Sequence, residues 1–424
     1  MIAIIPTKLK RRVRMSKYDE EALHLHKQHR GKIEVMVKSD LRSKHALSVW
    51  YTPGVAEPCR HINKNPEEVY DYTIKGNTIA VATDGSRVLG LGNIGPEASI
   101  PVMEGKCALF KEFGSVDAFP LCLKISDVDD FVSVVKSVEP IFGGINLEDI
   151  SVPQCFEIEA KLKELLSIPV FHDDQHGTAV VVLAGLINAV KIVGKKLSDL
   201  RIIISGAGAS GSAIAKLLIS AGAGDVILFD REGVLCRGRT KYMLPYKHDL
   251  AKITNIHNFQ GVLSEGFSGA DVFIGVACPG LIQGSDIAKM NKGAIVFPCA
   301  NPDPDIDPDI AKVNGAIIVG TGRSDLPNQI NNLLAFPGIM RGALDTRARY
   351  INEEMKMAAA WAIAGLLSEN ELSPDKIIVE PFEKGVAQTV GKAVSKAAFE
   401  TKVARTSLTL NEVYGIIDER LKGK

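Results

Sequence analysis

The chain has 424 residues, 46% of them hydrophobic and 24% charged, a globular composition long enough for two domains and a terminal extension. Lys+Arg and Asp+Glu both number 50, so charge recommends neither nucleic acid nor an anionic membrane as a partner. Seven cysteines without a C-x-x-C pair read as reduced thiols in a cytoplasmic protein and argue against a cysteine-type zinc site.

The opening "MIAIIPTKLKRRVRM" puts its apolar patch before its bases, the wrong order for a secretory signal. We read residues 1–30 as an N-terminal extension, either frayed at its start or preceding a natural start at Met15, with a targeting role for residues 8–14 as the alternative. From Asn77 onward, short apolar runs alternate with helical patterns. "TIAVA" and "VDAFPLCL" read as strands; "DVDDFVSVVKSVEP" has an acidic first turn and apolar spacing of three and four, hence a helix. "GGINLED" is a strand ending in acids, "VPQCFEIEAKLKELL" a helix, "IPVF" a strand and "GTAVVVLAGLINAVKIV" a buried helix. Its uncharged apolar run, Thr178 to Val190, is too short to cross a bilayer. A second series follows: "RIIIS", "SAIAKLLISAG", "DVILFD", "DVFIGVA", "AIVFP" and "AIIVGT". The fold class is α/β, with two domains, each a mainly parallel sheet flanked by helices, the second of them Rossmann-like. "GKKLSD" breaks the apolar pattern, so the first domain is read over 31–195, the second over 196–350, and mostly helical structure over 351–424.

"RIIISGAGASGSAIAKLL" carries G-x-G-x-x-G at Gly206, Gly208 and Gly211, with Ala209 and Ser210 at the helix start. Between a strand and a helix, such glycines let a pyrophosphate approach a helix N-terminus. Asp230, ending "DVILFD", stands where an acid bonds the adenine ribose, which favours NAD; Arg231 beside it suits a 2′-phosphate, so NADP stays open. A turn serving only helix–strand packing is the bland alternative.

Two acidic pairs end strands: Glu148-Asp149 after "GGIN" and Asp173-Asp174 in "FHDDQHGTA". Ligands of open α/β sheets bind there, and converging carboxylates make a hard oxygen site for Mg²⁺ or Mn²⁺. Alternatively, "LED" merely opens the next helix, where acids suit the dipole. His172 and His176 are spaced i, i+4, but Pro169 and Gly177 argue against one helix across them; we read them as hydrogen-bonding or packing histidines rather than zinc ligands.

These residues resemble the malic enzyme family, most closely its short bacterial and archaeal form. "VWYTPGVAEPC", "TDGSRVLGLGNIGPEASIPVMEGKCALFKEF", "FGGINLEDI", "PVFHDDQHGTA", "SGAGASG", "CANPDPDI" and "TGRSDLPNQINNLLAFPG" match in order, over roughly Gly31 to the C-terminal helices. The resemblance implies metal-dependent oxidative decarboxylation of (S)-malate to pyruvate and CO₂ with reduction of NAD or NADP. It implies Tyr51 as general acid, Lys106 as general base and Asp173 as its tuning partner. It assigns Glu148, Asp149 and Asp174 to a divalent metal, and Arg87, Asn301 and Asn331 to substrate. Gly206, Gly208, Ala209, Ser210, Gly211, Asp230, Arg231, Asn301 and Asn332 fall to the cofactor. A homodimer or larger homo-oligomer is expected on the same ground. Lys and Tyr ordinarily titrate near 10, so each needs its pKa lowered to work near neutrality, which a nearby cation does. Taken singly, each residue has a plainer reading: Tyr51 a turn tyrosine, Lys106 a solvated helix lysine, Arg87 a local partner of Asp84, Asn301 an Asx turn, Asn331-Asn332 a polar helix start. The rivals are a metal-independent two-domain nicotinamide dehydrogenase and a nucleotide-sensing protein without catalysis.

Overall fold

The computed structural model describes residues 17–424 except 89 and 302, and of residue 17 the backbone alone; the basic run 8–14 and Met15 lie outside the described residues. Two sheets organise the chain. The first holds β1 (Thr78–Thr83), β2 (Asp117–Cys122), β3 (Gly144–Leu147) and β4 (Val170–His172) in the order β2-β1-β3-β4, all parallel. The apolar runs of β1, β3 and β4 are buried along their whole length, as parallel strands covered on both faces must be.

The second sheet holds β5 (Arg201–Ser205), β6 (Asp225–Asp230), β7 (Gly233–Val234), β8 (Val272–Gly275), β9 (Ala294–Pro298) and β10 (Ala316–Val319), in the order β10-β9-β8-β5-β6-β7. Its pairings are parallel except for β7, which runs antiparallel beside β6. In each sheet the first strand is central, β1 between β2 and β3, and β5 between β6 and β8. The strand order therefore reverses there, and a crevice opens beyond the carboxyl ends of β1 and β5.

The helix Thr178–Val193 welds the sheets together. Every residue from Ala179 to Val190 is buried. One apolar cluster runs from Ile79 and Val81 of β1 through this helix to Ile202 and Ile204 of β5, and on to Met355 and Val390. Burying each Val, Leu or Ile contributes about 1.5–3 kcal/mol. Asn188 is tolerated inside it because Nδ2 donates to Ala364 O (2.9 Å) and Ile377 O (3.0 Å). With the turn before it the helical run reaches 21 residues, longer than its uncharged stretch suggested; by length and composition it could cross a membrane, yet most of it lies inside the protein.

The tail is helical over Glu353–Ala364, Val386–Glu400 and Leu410–Arg420. Lys106 lies on the helix Gly95–Gly114, as its plainer reading had it, though not solvated; the extent of that helix was not evident among the sequence patterns. Pro96 occupies its first turn, where no N–H is needed, and Pro101 lies within it. The N-terminal segment contrasts with this core. Helices Lys44–Trp50 and Ala56–Lys64 bury no residue, and Val35, Met36, Trp50 and Tyr51 stand exposed.

Candidate active site

At the carboxyl edge of the first sheet, β3 runs into Glu148-Asp149 and β4 into Asp173-Asp174. Because β3 and β4 are neighbours in register, with Leu147 beside His172, the acids must arrive side by side. Asp173 opens a π-helical turn, Asp173–Gly177, that delivers the chain into the buried helix. The turn needs Gly177: a β-carbon there would be driven into Asp173 Oδ1 and against Asn332. Gly177→Ala is expected to lower the thermal midpoint, which a melting curve will read.

Lys106 reaches across from its helix. Its Nζ donates to Asp173 Oδ2 at 2.5 Å, lies 2.9 Å from Glu148 Oε1, and sits 4.3 Å from the centre of the Phe336 ring. Asp173 Oδ2 also accepts Asn332 Nδ2 at 2.5 Å, while its Oδ1 is buried without a partner. Asp174 Oδ2 accepts the Asp149 N–H at 2.8 Å, and Glu148 Oε2 accepts Asn146 Nδ2 at 2.8 Å. Asp149 adopts a left-handed conformation, φ +54°, uncommon for a residue with a side chain and found where a site holds its backbone.

Burial alone disfavours every charge here. It pulls Lys106 down, but Asp173 and Glu148 outweigh it, and the ammonium is held well above its ordinary range. Lys106 is thus an ion-paired ammonium, opposite to the lowered pKa expected from sequence; the reason is that Asp173 and Glu148 crowd it. Burial pushes Asp173 up to about 6, and Glu148 and Asp174 upward too, despite Lys106. Three carboxylates, those of Asp173, Glu148 and Asp174, act on one ammonium and leave a surplus of negative charge. Oxygen donors in that state suit a hard divalent cation. As the side chains stand, no three acid, histidine or cysteine groups among the described residues converge as a ready cage, since Lys106, Asn146 and the Asp149 N–H take up the oxygens. The fit to Mg²⁺ or Mn²⁺ is therefore one of charge and donor chemistry.

His172 is fully buried with neither ring nitrogen hydrogen-bonded, so of the two roles expected for it packing is the one seen; His176 is held by hydrogen bonds. His176 Nε2 donates to Glu159 Oε1 at 2.6 Å, and Nδ1 accepts from Lys356 Nζ at 3.2 Å. Burial drives His176 down to about 4 against the pull of Glu159, so the ring is neutral, as its acceptor Nδ1 requires. Gln175 Nε2 also donates to Glu159, at 3.1 Å, so the turn is anchored from behind while its acids face the site. Sequence reading missed Glu159, Lys356 and Gln175. Glu159 carried a signal: it shares a helix stripe with Cys155, Ile158 and Leu162, all buried.

Other expected residues stand at the edge of this cluster or away from it. Arg87 is exposed, yet its backbone N–H donates to Asp149 O at 3.0 Å and its positive charge acts on Asp174, opposing the upward push of burial. Asn301 is exposed after β9, and Tyr51 is 66% exposed on the N-terminal segment. Asn331 Oδ1 caps the turn Asn332–Leu334 by accepting Leu333 N (2.9 Å), so the plainer reading of a helix start describes its side chain, whereas Asn332 joins the acids.

The glycine turn sits beyond β5. Gly206 is at φ +110°, and a β-carbon at Gly211 would strike the Gly206 carbonyl, so the close strand–helix approach requires both glycines. Gly208, Ala209 and Ser210 lead into the helix Ala209–Ser220, whose first N–H groups are free for an anion by geometry. Asp230, at the end of β6, is not a bare acid. Its Oδ2 accepts Arg239 Nη2 and Lys247 Nζ, each at 2.6 Å, and its Oδ1 accepts Glu232 N at 2.8 Å. Burial raises it, but Arg239 and Lys247 win and hold it low. Arg231 points outward over the Tyr242 ring, 4.6 Å from its centre.

Comparison with known proteins supplies the family. Residues 30–163 match the malic enzyme N-terminal domain and residues 175–399 the malic enzyme NAD binding domain. The chain is 55% identical to the bifunctional malic/malolactic enzyme of Bacillus subtilis over 394 residues, 93% of this chain and 96% of that protein. It is 55% identical to an NAD-dependent malic enzyme of Geobacillus stearothermophilus, covering 88% of this chain and 78% of that one. The structure superposes on malic enzyme from Pyrococcus horikoshii with TM-score 0.91 and 49% identity, covering 96% of each chain. Relatives include both NAD-dependent and NADP-dependent enzymes. The chain belongs to the malic enzyme family, NAD(P)-dependent oxidoreductases of α/β fold.

Proposed function

We propose that this enzyme carries out metal-dependent oxidative decarboxylation of (S)-malate to pyruvate and CO₂. The observation that carries the reading is the buried Lys106–Asp173–Glu148 constellation beside a glycine turn. When bound, NAD(P)⁺ supplies the acceptor for the C2 hydride, and Mg²⁺ or Mn²⁺, held by Glu148, Asp149 and Asp174, supplies Lewis-acid polarisation. The chain does the rest. Asp173, itself held by Asn332, fixes Lys106; to take the malate hydroxyl proton as general base, Lys106 must first lose the proton that its ion pairs with Asp173 and Glu148 hold on it. Arg87, Asn301 and Asn331 orient the substrate. Tyr51 returns a proton to the enolpyruvate carbon. The first domain then spans residues 31–195, the second 196–350, and the C-terminal helices 351–424.

Tyr51 lies on the exposed N-terminal segment with Trp50, Val35 and Met36. Several large apolar side chains exposed on one segment favour burial by a second copy, and we read the enzyme as a homodimer or larger homo-oligomer. Seven free cysteines support a cytoplasmic setting. Tyr51→Phe is expected to slow exchange of the pyruvate methyl protons in deuterated water more than it slows hydride transfer; normal exchange would remove Tyr51 from the acid role.

The cofactor preference turns on Asp230. Removing it leaves Arg239 and Lys247 uncompensated where the adenine ribose is expected, a pair suited to a phosphate. Asp230→Ala is expected to move kcat/KM toward NADP, and an unchanged NAD/NADP ratio would sink that assignment. The overall reading is tested by product analysis: one pyruvate and one CO₂ per NAD(P)H formed. The same assay scores lactate, because the Bacillus subtilis relative is also malolactic.

A further inference from the structure

The residue Ser210 belongs to the glycine turn by sequence, yet its hydroxyl points elsewhere. Ser210 Oγ donates to the Asp174 main-chain carbonyl at 2.8 Å. A serine hydroxyl has one proton to give, so in this arrangement it is not available to a pyrophosphate oxygen; only the backbone N–H groups of the helix start are. Asp174 is thus held from two sides. Its carbonyl is bonded to the helix that begins at the glycine turn, and its carboxylate accepts the Asp149 N–H at 2.8 Å in the acid cluster. The two units also meet where Phe156 packs on Tyr246, ring centres 4.6 Å apart, and Tyr246 Oη donates to Ala207 O at 3.0 Å.

We propose that Ser210 is a positioning residue that couples occupancy of the glycine turn by a dinucleotide to occupancy of the acid turn by a divalent cation, an inference that rests on the metal and cofactor reading above. An anion on the helix N-terminus orders its first turn and with it the Ser210 side chain. The Asp174 carbonyl is then fixed, and its carboxylate is presented to the cation already oriented. The coupling is reciprocal: each ligand tightens the other by the same factor. A single neutral hydrogen bond sets the scale at several-fold to about tenfold.

The test is a Mn²⁺ titration of the full chain by calorimetry, without and with saturating NAD⁺ (and NADP⁺ in parallel), for the wild type, Ser210→Ala and Ser210→Thr. Wild type and Ser210→Thr, which keeps the hydroxyl, are expected to bind Mn²⁺ several-fold tighter with dinucleotide present. In Ser210→Ala the ratio falls to near one. Should that variant melt early, Ser210→Cys keeps the volume, loses the strong donor and gives the same ratio near one. A wild-type ratio retained in the variants, or a ratio of one in the wild type itself, overturns the coupling alone. A wild type that binds dinucleotide but no Mn²⁺ overturns the metal reading and this inference with it.

Discussion

Lys106→Ala is expected to lower malate oxidation by on the order of 10²–10⁴ while nucleotide binding survives. The lysine lies in the first sheet's crevice, and the glycine turn is built from β5 and its own helix. Two effects must be separated, because Lys106 is a base candidate and also the cation that pairs Asp173 and Glu148. Deleting one partner of a buried ion pair costs roughly 3–5 kcal/mol, so the alanine variant will also melt earlier. Lys106→Arg decides between them. A guanidinium keeps the positive charge but does not deprotonate. If proton transfer is the role, Lys106→Arg regains thermal stability and stays as slow as Lys106→Ala. Recovered turnover in Lys106→Arg would assign Lys106 to charge balance instead.

Asp174→Asn and Asp173→Asn should part company. The two carboxylates are adjacent, Asp173 fully buried and Asp174 half-buried, and their oxygens face different partners: Asp174 toward Asp149, Asp173 toward Lys106 and Asn332. Asp174→Asn removes one charge from the hard-oxygen set. Mn²⁺ affinity should fall by more than about 100-fold, beyond the usual effect of groups that only support a ligand. Asp173→Asn should leave Mn²⁺ affinity nearly unchanged and lower kcat, because the amide holds Lys106 less firmly. Calorimetric Mn²⁺ titrations of both variants, with steady-state rates, give the comparison. Equal loss of metal in both would mean that the four acids act as one cluster.

The strands and the buried helix were legible because parallel strands covered on both faces must be written as unbroken apolar runs, as in Ile202–Ile204 or Ala179–Val190. The paired acids were legible for a related reason: two acidic pairs each follow such a run, at strand ends where ligands bind, and opening a helix is the only plainer use for either pair. The helix Gly95–Gly114 was not legible because Pro96, Pro101 and Gly105 imitate a broken loop. Electrostatic partners were hidden too. Arg239 and Lys247 lie nine and seventeen residues beyond Asp230, and only the β6–β7 reversal and the following helix bring them back to it. The sign of the Lys106 shift was beyond reach for the same reason, since it depends on how many carboxylates fold around one ammonium. The roles of Glu159 and Lys356 emerge only once Gln175 and His176 are seen to turn away from the acids.

The claim on which the account rests is that the surplus of buried carboxylate charge serves a divalent cation needed for turnover. It is tested by following NAD(P)H formation from (S)-malate in protein stripped with EDTA, then after Mn²⁺ is added back. The account predicts no measurable turnover in EDTA and full recovery with Mn²⁺. Equal rates with and without the metal would contradict it and point to a metal-independent dehydrogenase.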